Sequence, residues 1–317
     1  VETVFVNPRG FDALQTTRRF DYARSILPVR RLLSRRKPEI VFALYLTSAG
    51  VLACLSGHPR VVLSARGTDV NGQIDSMAWR SVFRWQGWRA VRIHTVSDNL
   101  AAMLRERAGV PSAKLFACPI GVDTELFSFV EPTARPNQAR IISTRDHRSE
   151  HDQSTLVRAL AILHSKSLPF TITFASASGA ECTRRLIAES GLEKHTTFLP
   201  GYELKALPSI LARHDVYVST APRDGTSSSL LEALSTGIFP VVADSPANRP
   251  WVHHGENGYL FTPRDPVSLA RYLENAISNG DIRNASARSS RDLVRRQGDQ
   301  NLGMERILQE FQQCLET

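Results

Sequence analysis

The chain has 317 residues, of which 42% are hydrophobic and 22% charged, with a net charge of +8. That length suits two domains with ordinary cores, and no apolar run reaches the roughly 18 residues that a membrane-spanning helix needs. Four cysteines (Cys54, Cys118, Cys182 and Cys314) stand apart without Cys-x-x-Cys pairs, which argues against both a disulfide frame and a zinc site and for a reducing compartment. No basic-then-apolar leader is visible, so a cytoplasmic protein is expected. The charge is uneven: residues 1–127 carry 18 Lys and Arg against 10 Asp and Glu, whereas the remainder carries 21 of each sign. A basic first half attracts phospholipid, nucleic acid or an acidic acceptor, and charge alone does not choose among them.

In chain order, Val1–Val6 reads as a strand and Asn7-Pro8-Arg9-Gly10 as a loop. A basic helical stretch follows over 18–37, with Leu27, Val29, Leu32 and Leu33 on its apolar side and Pro28 dividing it in two. Such a helix can lie on an anionic membrane or pack on a sheet by its leucines. Residues 37–50 form a strand running into a loop and a new helix, and Val61–Ala65 is a strand ending in the turn Arg66-Gly67-Thr68-Asp69. Trp79, Phe83, Trp85 and Trp88 alternate with Arg80, Arg84, Arg89 and Arg92. That interleaving fits a single-stranded nucleic-acid groove, a membrane-interface patch or tryptophans half-buried at a domain face. A strand at 90–97 contains His94, read as a satisfied strand residue. Ser97 opens a helix to about Ala108, and residues 109–118 are a turn and a strand.

The Pro-rich stretch 128–138 is a linker, after which strand and helix alternate: strand 139–145 ending at Arg145, helix 156–166, strand 170–175, helix 181–190, strand 196–199, short helix 207–214, strand 215–220. Next comes Asp224-Gly-Thr-Ser-Ser-Ser-Leu-Leu-Glu232, in which two carboxylates enclose a glycine and a run of hydroxyls. Leu230, Leu231 and Leu234 share one helical face, and Gly237 marks the helix end before the strand 239–243. Small residues at a helix N-terminus make an anion site. Ser229-Leu-Leu-Glu232 equally fits a capping box, in which Glu232 closes its own helix. Asn257-Gly258 is a turn, 265–277 an amphipathic helix, and 303–314 a terminal helix. The alternation implies parallel sheets with helices on both faces, an α/β architecture.

The paired acids Asp224 and Glu232, the phrase Pro119-Ile-Gly-Val-Asp123-Thr-Glu-Leu-Phe127, the segment Lys37-Pro-Glu-Ile-Val, and Asn257-Gly258 together resemble glycosyltransferase family 4. The resemblance covers about residues 38–317 and is most specific at 119–127 and 215–261. It implies the GT-B fold: two Rossmann-like doubly wound domains facing across a cleft. The acceptor-side domain would be 1–127, the nucleotide-sugar domain 128–302, with 303–317 crossing back to the first. A family member would carry a strand, a Gly-Gly loop, a helix and a second strand before a segment like Val1–Val6, so the N-terminal domain is expected to be incomplete, its sheet either having two unpaired edges or being rearranged.

The resemblance also implies roles. Glu232 would hold the ribose, Asp224 and the backbone of Gly225, Thr226 and Ser227 the sugar, and Ser228 and Ser229 the phosphates. Arg145 would neutralise the diphosphate, and Arg66 and Asp69 would line the acceptor side. Departures are visible: Asp224 replaces the usual Glu, Phe42 and Leu44 stand at two His positions, and the Lys expected after Arg145 is absent, with Arg148 and His151 in its neighbourhood. The implied activity is transfer of a sugar from a nucleotide-diphospho-sugar to an acceptor hydroxyl of a carbohydrate or a lipid-linked molecule, with retention of configuration. It needs no metal or cofactor beyond the donor as co-substrate, and the chain has neither an Asp-x-Asp triplet nor clustered His ligands. The departures leave open a nucleotide-sugar-binding protein without transferase activity. Nucleic acid ranks last among the partners because no recognition motif accompanies the charge, and an anionic membrane surface is compatible with either reading.

Overall fold

The computed structural model describes residues 19–131 and 139–316. The strand expected at Val1–Val6, the loop after it and most of the 128–138 linker lie outside the described residues. The chain divides into two compact units, Val1–Pro119 with Glu305–Thr317, and Ile120–Met304.

In the first unit, four parallel strands form a sheet in sequential order: β1 (Val41–Leu44), β2 (Val61–Ala65), β3 (Arg92–Thr95) and β4 (Leu115–Ala117). The helices are α1 (Arg19–Arg36), α2 (Gly50–Leu55), the single turn α3 (Thr68–Asn71), α4 (Met77–Arg89) and α5 (Asp98–Ala108). Because each crossover steps the same way and parallel crossovers are right-handed, α2, α4 and α5 fall on one face of the sheet. Neighbour contacts run α1 to α2, α2 to α4 and α4 to α5. Every residue of β2 is buried, as expected of a strand covered on both sides. Contrary to the sequence expectation, α1 runs through Pro28 without a break. The lost N–H costs one bond of the helix ladder, and tertiary contacts on both sides of it hold the turn. Ser25 and Val29 are buried, and the Arg30 guanidinium donates to the Leu55 carbonyl at 2.8 and 3.2 Å. The helix at Ser97 forms as expected, its side chain accepting from Leu100 N–H at 3.4 Å.

The second unit holds six parallel strands: β5 (Ala139–Ser143), β6 (Phe170–Phe174), β7 (Thr196–Phe198), β8 (Val216–Ser219), β9 (Phe239–Ala243) and β10 (Tyr259–Phe261), in the order β10-β9-β8-β5-β6-β7. Its helices are α6 (Gln153–Ser165), α7 (Glu181–Glu189), α8 (Leu207–Leu211), α9 (Ser228–Thr236), α10 (Pro266–Ser278) and α11 (Gly280–Gln297), and α12 (Gln300–Glu316) closes the chain. One apolar cluster joins α6, α7 and α10 to one face of the sheet, and another joins α8, α9 and α11 to the opposite face. The strand order reverses direction between β5 and β8, which pair through Ile141 with Val216 and Ile142 with Tyr217. At such a switch point the loops leaving the two strands part to opposite faces, opening the crevice in which this architecture binds ligands.

Two glycines are required by their geometry. Gly237 ends α9 at φ +90°, where a Cβ would stand 2.8 Å from the Phe129 ring. Gly121, at φ +83°, brings the backbone so close to Gly298 that a Cβ would lie 2.6 Å from its carbonyl oxygen. That approach lets Val122 N–H donate to Gly298 O at 2.8 Å and Gln300 N–H to Val122 O at 2.9 Å.

Candidate active site

The C-terminal ends of β5 and β8 deliver the sequence-predicted residues to one corner of the second unit. Arg145 leaves β5, and the loop 220–227 leaves β8 and leads into α9. The Arg145 guanidinium is buried among that loop: Nη2 donates to Ser227 Oγ at 2.8 Å and also to Asp224 Oδ2, and Nε donates to Ser219 Oγ at 3.3 Å. Burial acts against its charge, yet the nearby Tyr217 and Asp224 outweigh it and raise its pKa. Two residues expected to grip different parts of a donor therefore grip each other. Asp224 Oδ1 meanwhile accepts from Gly225 N–H at 2.8 Å, which tightens the turn.

Ser227 caps α9, its Oγ accepting from Leu230 N–H at 3.3 Å. This overturns the capping-box reading of Ser229 and Glu232. The cap stands two residues earlier, so Glu232 occupies the fifth helical position, beyond reach of the cap N–H. Ser229 Oγ instead bonds Tyr217 OH at 2.9 Å, which anchors the first turn of α9 to β8. The amide N–H groups of Ser228 and Ser229 find no acceptor among the described residues and point out of the helix end, as the first amides of any helix do.

Glu232 lies one turn deeper on α9, half-buried, and no donor among the described residues binds its carboxylate. Burial pushes its pKa up to about 7, with Arg145 pulling the other way. Tyr202 shares the neighbourhood: its pKa is raised by burial and by the Glu232 charge.

The loop 145–152 is shaped by residues that sequence reasoning did not single out. Gln153, buried at the start of α6, donates through Nε2 to the carbonyls of Arg145 (3.1 Å) and Asp146 (3.2 Å). His147 bonds Thr183 Oγ1 and the Ser176 carbonyl, each at 2.9 Å, and so ties this loop to the Ser176–Gly179 turn after β6. Thr220 Oγ1 donates to His151 O at 2.8 Å. Of the two residues near the missing Lys, Arg148 is exposed and paired with Asp146 and Glu150, while His151 bonds Asp146 through Nδ1. A Gln at the first turn of a helix after a strand-end Arg carries no pattern of its own, so only the fold reveals its task.

The other two predicted residues belong to the first unit. Asp69 is buried, and its carboxylate accepts from three backbone N–H groups: Leu46 at 2.7 Å, and Arg66 and Gly67 at 3.0 Å each. It organises the two loops that leave β1 and β2, so its oxygens are committed to the fold. The Arg66 guanidinium has no hydrogen-bonded partner among the described residues; burial lowers its pKa against the pull of Tyr45 and Asp69. Phe42, at a position where the resemblance led one to expect His, packs edge-on against Phe311 of α12 with ring centroids 5.1 Å apart. His94 is buried and satisfied: Nε2 donates to Cys118 O at 2.7 Å and Nδ1 accepts from Ser64 Oγ at 2.9 Å. Burial, aided by the Arg66 charge and opposed by the bond to Cys118, holds its pKa at about 4. Among the described residues, no group of three or more His, Cys, Asp or Glu is placed to hold a metal ion.

Residues 127–292 match the family profile described as glycosyl transferases group 1, and residues 3–126 match that of glycosyltransferase family 4. No curated protein matches the chain. Among solved structures, a glycosyltransferase from Rickettsia africae superposes with a TM-score of 0.77 at 15% identity, covering 95% of this chain and 83% of that one. Anabaena Alr3699/HepE in complex with UDP and glucose gives 0.74 at 17%, with 96% and 83% covered. Sucrose-phosphate synthase from Thermosynechococcus elongatus gives 0.80 at 16%, with 93% and 78% covered. At these identities the likeness is one of fold, and it is the GT-B fold. Since the first profile spans more than half of the chain and the second nearly all that precedes it, the protein belongs to the glycosyl transferases group 1 and is a GT-B glycosyltransferase of the family 4 type.

Proposed function

We propose that the corner of the second unit binds a nucleotide-diphospho-sugar and that the sugar passes to an acceptor hydroxyl with retention of configuration. The observation that carries this reading is the division of labour at the start of α9. Arg145 and the amides of Ser228 and Ser229 offer positive charge and hydrogen-bond donors, and Glu232 offers a half-buried carboxylate that no donor among the described residues satisfies. The first set suits a diphosphate. The second suits a pair of ribose hydroxyls, which donate where the protein does not. Structures similar to this one carry UDP with glucose, or UDP with GlcNAc, which supports uridine as the first base to test.

In the reaction, the bond from the anomeric carbon to the diphosphate oxygen breaks, and that oxygen leaves with the electron pair. Arg145 and the α9 amides receive its charge, which is where preorganised donors act most strongly. The acceptor oxygen bonds to the anomeric carbon on the face the diphosphate has left, and its proton passes to the departing phosphate oxygen. Asp224 turns from the Arg145 guanidinium to the sugar hydroxyls, with the Gly225–Ser227 backbone beside it. Arg66 is assigned to the acceptor, a carbohydrate or a lipid-linked molecule. The protein is assigned to the cytoplasm, with its basic first unit against an anionic membrane surface; no described helix is long and apolar enough to cross a membrane.

The test mixes the chain with UDP-, GDP- and ADP-sugars and follows thermal stability and sugar release together. A stabilising donor that also releases its sugar is expected. Stabilisation without release or transfer favours a nucleotide-sugar-binding protein, the reading to which the Arg145–Asp224 pair and the apolar Phe42 and Leu44 lend support. If no nucleotide-sugar stabilises the fold, both readings fall.

A further inference from the structure

The N-terminal ends of β1, β2 and β3 form one edge of the first sheet, opposite the ends that carry Arg66. Three helices finish there: α1 just before β1, α2 before β2, and α4 before β3. Their ends are stitched together. Arg30 donates to Leu55 O, Arg89 donates to His58 O at 3.0 Å, and the His58 ring bonds Pro38 O at 2.9 Å. The segments 27–39, 55–60 and 88–89 therefore make one continuous surface.

That surface is cationic and partly apolar. Arg31, Arg35, Lys37, Arg60 and Arg89 stand on it, and no carboxylate pairs with any of them among the described residues. Glu39 is the one acid in these segments. The same segments carry exposed apolar side chains: Trp88 at 74% exposure, Leu27 at 61% and Leu55 at 37%. Leu27, Arg31 and Arg35 repeat every four residues, so α1 presents them on a single face. Trp88 ends the outer face of α4, whose Phe83 is buried against the sheet side. Arginines without a carboxylate partner that share a surface with an exposed tryptophan and leucines are the chemistry of a bilayer interface: the cations meet acidic headgroups while the indole and leucines enter the acyl boundary. A nucleic-acid groove would use the same charge but has no need of the leucines.

We infer that this edge of the first unit, centred on Trp88, Arg31 and Arg35, is the surface by which the protein docks on an anionic phospholipid bilayer. The assignment rests on the membrane contact proposed above and fixes its place on the fold, away from the strand ends that carry Arg66.

The test is flotation of the full chain with vesicles of phosphatidylcholine alone and of phosphatidylcholine with phosphatidylglycerol. The wild type is expected to float with the acidic vesicles only, and less so as salt is raised. Arg31→Glu combined with Arg35→Glu should weaken that binding by about tenfold or more while leaving the melting temperature unchanged. Independently, Trp88→Phe should abolish most of the blue shift in tryptophan emission on adding acidic vesicles. A wild type that ignores acidic vesicles sinks the membrane contact itself, and salt-sensitive binding to single-stranded RNA in its place would turn the surface to nucleic acid. A wild type that floats while both variants behave like it leaves the membrane contact standing and overturns this surface. Neither outcome touches the donor site.

Discussion

Each unit carries an arginine and an aspartate at the C-terminal ends of its parallel strands, and the two pairs are wired in opposite ways. In the second unit Asp224 sits on the Arg145 guanidinium, and the amides of Ser228 and Ser229 at the start of α9 have no acceptor among the described residues. In the first unit Asp69 spends its carboxylate on three backbone amides, and the Arg66 guanidinium keeps no hydrogen-bonded partner among the described residues. The same two residue types thus yield a charge-balanced corner with spare N–H donors in one case and a lone buried-side cation in the other. What decides the outcome is whether the loop needs the acid to fold. Three unpaired amides at 66–67 and 46 would cost more than one guanidinium left without a partner.

The contrast breaks most easily at Asp69. Asp69→Ala should destabilise the first unit by about 3 kcal/mol, since three amides lose their acceptor; urea unfolding measures it, and a loss below about 1 kcal/mol would show that the loop finds other acceptors. Arg145→Ala should lower affinity for a nucleotide diphosphate by about 2 kcal/mol, the worth of a charge-assisted contact, in calorimetric titration. Arg66→Ala should leave that affinity unchanged and reduce transfer alone, and equal losses of nucleotide binding in the two variants would erase the distinction between the units. Ser227→Ala removes the α9 cap and should cost about 1 kcal/mol of stability, with a parallel loss of binding because the same Oγ holds Arg145.

The smallest effect is a pH dependence. Glu232 in the folded protein has its pKa raised to about 7 by burial, above its ordinary value. The folded state therefore holds a proton that the unfolded chain gives up, and this contribution to stability is full below the unfolded pKa and lost as pH rises through about 7. Nucleotide affinity should move the other way, rising through the same range as the carboxylate ionises and can accept two ribose hydroxyls. Glu232→Gln should flatten both profiles. A wild-type affinity that stays level across that range would remove Glu232 from the ribose.

Much of the fold was legible because parallel strands buried on both faces read as short β-branched runs, and β2, β5, β8 and β9 all do. The helix α11 was not anticipated. Its buried face is Arg283, Ser286, Ala287, Ser290 and Val294, helical in spacing but small or polar in kind, so no apolar stripe betrays it. Arg283 is tolerated there because its guanidinium takes the final carbonyls of α10, Ala276 and Ile277. Pro28 misled for the complementary reason: local stereochemistry predicts a break, and packing on both sides of it prevents one. At the site, residue types and spacing pointed to the corner, yet the Arg145–Asp224 bond joins positions 79 apart in sequence and follows only from β5 lying beside β8. The capping-box reading of Ser229 and Glu232 failed by a shift of two residues in the helix start, a margin that sequence alone does not resolve.

The Arg145–Asp224 bond also bears on turnover. A guanidinium that already holds an anion of its own does not act as a bare electrostatic trap. In the proposed donor site, an incoming diphosphate would therefore exchange with the carboxylate instead of neutralising an isolated charge. Arrival would then be less favourable than the count of donors suggests, and the carboxylate swinging back would help the spent nucleotide to leave. An internal competitor of this kind would temper product inhibition, at the expense of grip on the donor.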